Sequence, residues 1–179
     1  IRFCEPTLKA REAALEEVVA ETGATFIHPS NDVRVIAGQS TAFQELRTDA
    51  AGTAMEGLDI VVAPVGGGGL LSGTALAAKL IGAPAGQLPG GATQASEQVH
   101  TSGPQSGAKN GPLKVIGCEP AQADDAYRSF KSGKLVLPEH PDTIADGLKT
   151  ALGSNTFPIV REYVDDIVLV QEEEILQAM

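Results

Sequence analysis

Four consecutive glycines, Gly66 to Gly69, carry the clearest chemical signal in the sequence. They follow an apolar run that ends at Pro64 and open a segment of small residues, 70–81, whose composition and periodicity predict a helix. Glycine lets the backbone approach a ligand closely, and a helix N-terminus presents unpaired N–H groups with a partial positive charge. The segment therefore predicts a phosphate cradle. A glycine turn that only packs a strand against a helix is the alternative.

The glycine run matches neither of the two best-known nucleotide motifs. No Gly-Lys-Ser/Thr follows it, so it is not a Walker A sequence. In the register Gly66-x-Gly68-x-x-Leu71 the third small residue of the dinucleotide fingerprint is missing. The motif alone thus indicates a phosphate-bearing ligand of unspecified kind, and an unrelated nucleotide-binding α/β domain is a further alternative.

Three carboxylates, Glu119, Asp124 and Asp125, follow the next apolar run. Carboxylate and carbonyl oxygens are the ligands of hard cations such as Mg²⁺ and Ca²⁺, so a cation site is one interpretation. Asp124 and Asp125 would equally suit the first turn of a helix, where acidic side chains cap free N–H groups. Spacing alone does not separate the two interpretations.

Other candidate residues give weaker signals. Residues 143–148 and 155–161 mix polar residues and glycine with apolar anchors, which predicts ordered loops near a ligand. The three histidines show neither metal-ligand spacing nor a place in a Ser-His-Asp or Cys-His set. Cys4 and Cys118 are predicted to be buried, reduced thiols rather than a disulfide, which favours a cytoplasmic location.

The elements that must position these residues alternate along the chain. Apolar runs predict strands at 1–4, 24–28, 58–64, 114–119 and 166–170, and helical periodicity predicts helices at 8–21, 33–46, 70–81, 124–131, 157–163 and from 172 onward. Such alternation predicts parallel sheet layers covered by helices, an α/β architecture. Residues 82–112 are rich in Gly, Pro, Ser, Gln and Thr and predict a loop insertion.

Composition excludes several classes of protein. The chain has 179 residues, 42% of them apolar, and a formal net charge of -10, as expected for an acidic globular protein. That charge disfavours binding to nucleic acid or to anionic membranes, and no apolar run approaches the length of a membrane span. The sequence begins without methionine in a predicted strand, so we interpret it as a fragment.

Several motifs, taken in order, resemble one family: the serine racemases and serine/threonine dehydratases that use pyridoxal phosphate (PLP). The motifs are Cys4-Glu5-Pro6 with Arg11, Ile27-His28-Pro29, residues 35–41, the four glycines, Gly117 to Pro120, Thr143 to Gly147, and Thr156 to Arg161. The resemblance covers nearly the whole chain except 82–111. It implies the tryptophan-synthase-β-like fold of PLP enzymes, incomplete at both ends, with residues 1–38 ending a small domain and 39–179 in a large one.

The resemblance also implies roles for individual residues. The backbone of residues 66–70 (Gly66, Gly67, Gly68, Gly69 and Leu70) would hold the PLP phosphate, and Gly147 would lie beside the pyridine ring. Glu119, Asp125 and the carbonyl of Ala123 would bind Mg²⁺ or Ca²⁺. Arg11 would lie near the substrate.

The family's Schiff-base lysine is expected upstream of Ile1 and its pyridine-nitrogen contact downstream of Met179, so no catalytic residue is assigned. The family's lysine anchors the cofactor and moves the Cα proton of the bound amino acid. By resemblance the whole protein is a homodimer that dehydrates L-serine or L-threonine or interconverts L- and D-serine, and this chain alone is inactive. A non-catalytic truncated product with a binding or interaction role is the alternative.

Overall fold

The computed structural model describes residues 1–53, 57–80, 113–138 and 141–179. The helices and strands in these ranges are α1 (Leu8–Thr22), α2 (Val33–Ala50), β1 (Ile60–Pro64), α3 (Gly69–Leu80), β2 (Lys114–Pro120), α4 (Asp125–Ser132), α5 (Thr156–Tyr163), β3 (Asp166–Val170) and α6 (Glu172–Ala178). Two short 3₁₀ turns, Ala121–Ala123 and Asp146–Leu148, lie between them. None of the helices described is long and apolar enough to cross a membrane.

The three strands form one parallel sheet in the order β1-β2-β3. Val62 pairs with Ile116, which in turn pairs with Asp166. The α/β architecture expected from the sequence is therefore confirmed. Because the strands are parallel, the segments that follow Pro64, Pro120 and Val170 all leave the sheet at the same edge.

One face of the sheet lies against the helices, where it forms the core. Val61, Ala63, Val115 and Ile167 point into it, and Leu71, Ala75 and Val160 of the helices join the same buried cluster. Alternate residues point to the other face, where Ile60, Val62 and Val168 are 53%, 58% and 43% exposed. The described part of the chain therefore covers only one face of the sheet.

Helix α2 approaches α3 closely at a glycine. A Cβ atom added to Gly73 would lie 2.6 Å from the carbonyl oxygen of Ile36 and 2.7 Å from the backbone nitrogen of Ser40. Any larger residue would force the helices apart, so Gly73 holds α2 against the helix that follows the four glycines. The predicted domain boundary between residues 38 and 39 lies within α2, and the division into two domains stays a prediction.

Two predicted strands are wrong. Residues 1–4 and 24–28 form no regular secondary structure and pair with no strand in the described ranges. Their apolar side chains are largely exposed, with Phe3 at 92% and Ile27 at 57%. The physical reason is that an apolar run becomes a strand only when a neighbouring strand accepts its backbone hydrogen bonds, and the described residues provide none.

The two cysteines differ from the prediction that both are buried. The thiol of Cys4 is exposed rather than buried, and Cys118 is half-buried. Cys4 is exposed because residues 1–4 join no sheet in the described part of the chain that would cover them. The predicted insertion at 82–112 lies outside the described residues.

Candidate cofactor and cation sites

The glycine loop joins the end of β1 to the start of α3. The loop is fixed to the sheet by Val65, a buried residue whose N–H donates to the carbonyl of Cys118 at 3.0 Å. No hydrogen bond joins the N–H groups of Gly66, Gly67 or Gly68 to any other residue that the structure describes. These donors, together with the free N–H groups of the first turn of α3, can bind an anion.

Neighbouring segments leave no room for side chains in the loop. A Cβ atom on Gly66 would lie 2.9 Å from Thr150 Oγ1, and one on Gly67 would overlap the Ser30 side chain. Gly68 has a φ of +81°, in the left-handed region that favours glycine. The loop thus presents bare backbone with free donors, and this arrangement fits a phosphate group.

A buried hydroxyl group supports the loop from α5. Thr156 is 0% exposed, and its Oγ1 donates to the carbonyl oxygen of Gly67 at 3.0 Å. Thr156 Oγ1 also accepts a hydrogen bond from the N–H of Gly153 at 2.7 Å. The sequence placed Thr156 in a loop near a ligand, but this contact with the glycine loop was not predicted.

A histidine shapes the turn that contains Ser30 and packs against the glycine loop. His28 Nδ1 accepts from the backbone N–H groups of Ser30 at 3.1 Å and Asn31 at 2.9 Å. Both bonds require an unprotonated Nδ1, because a protonated ring nitrogen cannot accept. The turn that results brings Ser30 against Gly67 and Gly69.

Gly147 lies in the 3₁₀ turn Asp146–Leu148, next to the residue whose backbone packs on the glycine loop. A Cβ atom on Gly66 would be 3.0 Å from Leu148 Cα, so this segment forms part of the loop's wall. A Cβ atom on Gly147 itself would meet nothing within 4 Å. The described residues therefore leave open space beside Gly147, and its role at the pyridine ring stays a prediction.

At the same edge of the sheet, the C-terminal end of β2 carries a buried carboxylate. Glu119 is 1% exposed, and its two oxygens accept from the N–H groups of Ala126 at 2.8 Å and Tyr127 at 2.7 Å. Burial is the main reason that the pKa of Glu119 rises to about 8, the two N–H donors oppose the rise, and the charge of Asp125 adds to it. Glu119 thus holds the first turn of α4.

Asp125 is the second buried carboxylate and lacks such partners. It is 1% exposed, and neither of its oxygens has a hydrogen-bond partner among the described residues. Burial raises its pKa to about 6. Because an unpaired buried carboxylate is costly, this side chain suits a cation as its missing partner.

Asp124 and Asp125 lie at the start of α4, as the capping alternative expected, but Asp124 at the N-cap position caps no N–H group. Asp124 instead pairs with Arg128 at 2.8 Å. The capping of α4 comes from Glu119 rather than from either aspartate. The described residues contain no group of three or more His, Cys, Asp or Glu side chains able to hold a metal, so a cation here would also need carbonyl oxygens or water.

Comparison with known proteins identifies the family. Residues 1–179 match the family described as pyridoxal-phosphate dependent enzyme. The chain belongs to this family. It is 40% identical to the β-hydroxyaspartate dehydratase of Paracoccus denitrificans over 100% of the chain and 46% of that protein. It is also 40% identical to the serine racemase of Dictyostelium discoideum over 98% of the chain and 45% of that protein.

Solved structures of PLP enzymes agree with this assignment. Maize serine racemase superposes with a TM-score of 0.77 and 34% identity over 100% of this chain and 46% of its own. The threonine deaminase of T.th. superposes with a TM-score of 0.74 and 40% identity over 97% of this chain and 48% of its own. The chain thus spans slightly less than half the length of the relatives it matches. The predicted PLP-enzyme fold and family are confirmed.

Two lysines with defined partners lie at the end of the sheet opposite the glycine loop. Lys79 Nζ donates to Asp165 Oδ2 and to the carbonyl of Leu113, both at 2.8 Å. Lys131 Nζ donates to Asp166 Oδ1 at 2.7 Å. Leu113, Asp165 and Asp166 lie at the N-terminal ends of β2 and β3, whereas the glycine loop follows the C-terminal end of β1. Neither ammonium group therefore reaches the edge where a PLP phosphate would bind.

No hydrogen bond joins Arg11 to the glycine loop in the described part of the chain. Its side chain is exposed on α1, and no hydrogen bond or ion pair joins it to another described residue. Its predicted contact with substrate stays a prediction. Sequence reasoning missed Ser30 and Thr150 as neighbours of the glycine loop, because their only signal is a contact between segments far apart in the chain.

Proposed function

We propose that this chain supplies the PLP-phosphate site of an enzyme that dehydrates or racemises a small amino acid such as serine or threonine. The observation that carries the proposal is the loop 66–68, whose N–H groups have no partner in the described chain and whose glycines leave no space for a side chain. The serine racemases and threonine deaminase to which the chain is similar support the substrate class.

Each part of the site would act on a different part of the ligand. The N–H groups of residues 66–70 would bind the phosphate, aided by the positive end of the α3 dipole. Bound PLP would supply an electron sink for the negative charge that develops at the amino-acid Cα. The turn that contains Gly147, fixed next to the loop through Leu148, would flank the ring.

The buried carboxylates would form a cation site. Asp125 would supply the charged ligand that now lacks a partner, with Glu119 and the carbonyl of Ala123 beside it, and Mg²⁺ or Ca²⁺ would suit this oxygen set. The cation would compensate the burial of the Asp125 charge next to the first turn of α4. The cytoplasmic location and the homodimeric state of the complete protein stay predictions from the family resemblance.

The first experiment is an absorbance titration of the chain with PLP, comparing Gly67→Ala with Gly38→Ala. A methyl group at residue 67 overlaps Ser30, whereas one at residue 38 meets nothing within 4 Å. We expect Gly67→Ala to weaken PLP binding about tenfold or more, corresponding to roughly 1.4 kcal/mol, and Gly38→Ala to bind like the wild type. Equal PLP binding by both variants would show that the glycine loop does not bind the PLP phosphate.

Borohydride reduction followed by mass spectrometry tests the inactivity expected for the chain alone. Lys149 is the lysine to monitor for an adduct, because its chain neighbours Leu148 and Thr150 pack against Gly66 of the glycine loop. We expect PLP to bind without a reduced lysine adduct. A specific adduct on Lys149, lost in Lys149→Gln, would show that the chain carries its own anchoring lysine and would contradict this part of the proposal.

A further inference from the structure

The peptide between Gly67 and Gly68 has a fixed orientation. Its carbonyl accepts a hydrogen bond from Thr156 Oγ1 at 3.0 Å. The described chain has no cis peptide bond, so the carbonyl and the N–H of this planar unit point in opposite directions. The N–H of Gly68 therefore points away from α5 and has no partner in the described protein.

The direction of the Thr156 hydroxyl is fixed in turn. Its oxygen accepts from the Gly153 N–H at 2.7 Å, and a hydroxyl has one proton to donate. The carbonyl of Gly67 lies at 3.0 Å, whereas the other acceptor within reach, the carbonyl of Gly153, lies at 3.4 Å. The shorter contact identifies Gly67 as the acceptor.

The backbone of Thr156 is held by a side chain from a distant segment. Asn31 Oδ1 accepts from the N–H groups of Asn155 at 2.8 Å and Thr156 at 3.3 Å. Asn155 Nδ2 donates back to the carbonyl of Asn31 at 2.7 Å. Asn155, the N-cap residue of α5, makes no cap hydrogen bond of its own, so Asn31 caps α5 from outside that helix.

From these contacts we infer that Thr156 is a positioning residue for the phosphate site. Its hydroxyl turns the Gly67–Gly68 peptide so that the Gly68 N–H faces the PLP phosphate, and Asn31 holds Thr156 in the required place. The inference rests on the proposed function and deepens it. It assigns to α5 and to the turn before α2 a role in phosphate binding that neither performs by direct contact.

Thr156→Val and Thr156→Ser separate this role from packing. Valine keeps the shape but removes the hydroxyl, and serine keeps the hydroxyl. We expect Thr156→Val to weaken PLP binding about five- to tenfold, the loss of one oriented donor, and to shift the phosphorus NMR signal of bound PLP. Thr156→Ser should retain both the affinity and the signal of the wild type.

Val160→Ala is the matched control for stability, since Val160 is a fully buried residue of the same helix. Urea unfolding should show that it destabilises the chain, while PLP affinity should stay that of the wild type. If Val160→Ala weakens PLP binding as much as Thr156→Val does, general destabilisation explains the effect and the inference fails.

A second pair of variants applies if Thr156→Val does not fold. Asn31→Ala removes the cap acceptor, whereas Asn31→Asp keeps an oxygen at the same place. We expect weaker PLP binding for the first and near wild-type binding for the second. If Asn31→Ala or Thr156→Val binds PLP like the wild type, the positioning role is overturned and the proposed function stands. If the wild-type chain binds no PLP, both are overturned.

Discussion

At the residue scale, Asp125 is the side chain least explained by the protein around it. Most buried polar atoms have a hydrogen-bond partner, yet both carboxylate oxygens of Asp125 lack one in the described chain. Glu119, equally buried, satisfies its oxygens with two N–H groups. The difference is the observation on which the proposed cation site rests.

We predict that Asp125→Asn stabilises the chain when no divalent cation is present. Removing an unpaired buried charge should raise the free energy of unfolding by about 1–2 kcal/mol. Mg²⁺ should stabilise the wild type but not the variant. Urea unfolding in chelator and in Mg²⁺, with Asp124→Asn as the control because Asp124 is partly exposed and paired with Arg128, measures both effects. Unchanged Mg²⁺ stabilisation of Asp125→Asn would contradict the assigned site.

At the element scale, one ion pair ties α3 to the starts of two strands. Asp165, just before β3, accepts from Lys79 at 2.8 Å and from the N–H of Val115 at 2.7 Å. Burial alone would raise the pKa of Asp165, but these donors outweigh it and hold the pKa below its usual value of 3.8. The contact fixes the edge of the sheet opposite the glycine loop.

We predict that Asp165→Asn lowers the free energy of unfolding by about 1 kcal/mol at neutral pH, a modest loss because the pair is partly exposed to solvent. Because the folded-state pKa is depressed, the stability from Asp165 is present above pH 3.8 and is lost as pH falls through the lower folded value. The wild type and the variant should therefore converge in acid. Asp166→Asn, which alters the more exposed pair with Lys131, should cost less; an equal or larger loss there would contradict the argument.

At the scale of the whole molecule, the sheet is covered on one face only. Parallel sheets are normally buried on both faces, yet Ile60, Val62 and Val168 are exposed on the second face. The chain spans 46% of the β-hydroxyaspartate dehydratase it matches. An apolar surface of this kind promotes association in water.

We predict that Val62→Lys reduces self-association of the 179-residue chain. A charge at the centre of β1, on the exposed face of the sheet, should raise several-fold the concentration at which sedimentation velocity detects oligomers. Leu137→Lys is the control, because Leu137 is 63% exposed but lies outside the sheet. If both substitutions reduce association equally, added charge rather than the sheet face is responsible.

Local sequence patterns determined the architecture and the most prominent site feature of this protein. The spacing of apolar residues gave β1, β2, β3 and the helices, because periodicity reflects burial on one side of an element. The four glycines predicted the tight turn into α3, because few other residues fit a backbone that turns and packs so closely. The ordered motifs indicated the PLP family, which the comparisons confirmed.

Only the tertiary structure decided which residues support that site. Asn31 and Asn155 are 124 residues apart, and nothing local in either segment signals their contact. The same limit made the strands at 1–4 and 24–28 wrong, because a strand depends on a partner elsewhere. It also left open, from the sequence, whether Asp125 caps a helix or binds a cation. Hydrogen bonds between distant segments depend on how the whole chain folds, and local residue patterns do not encode them individually.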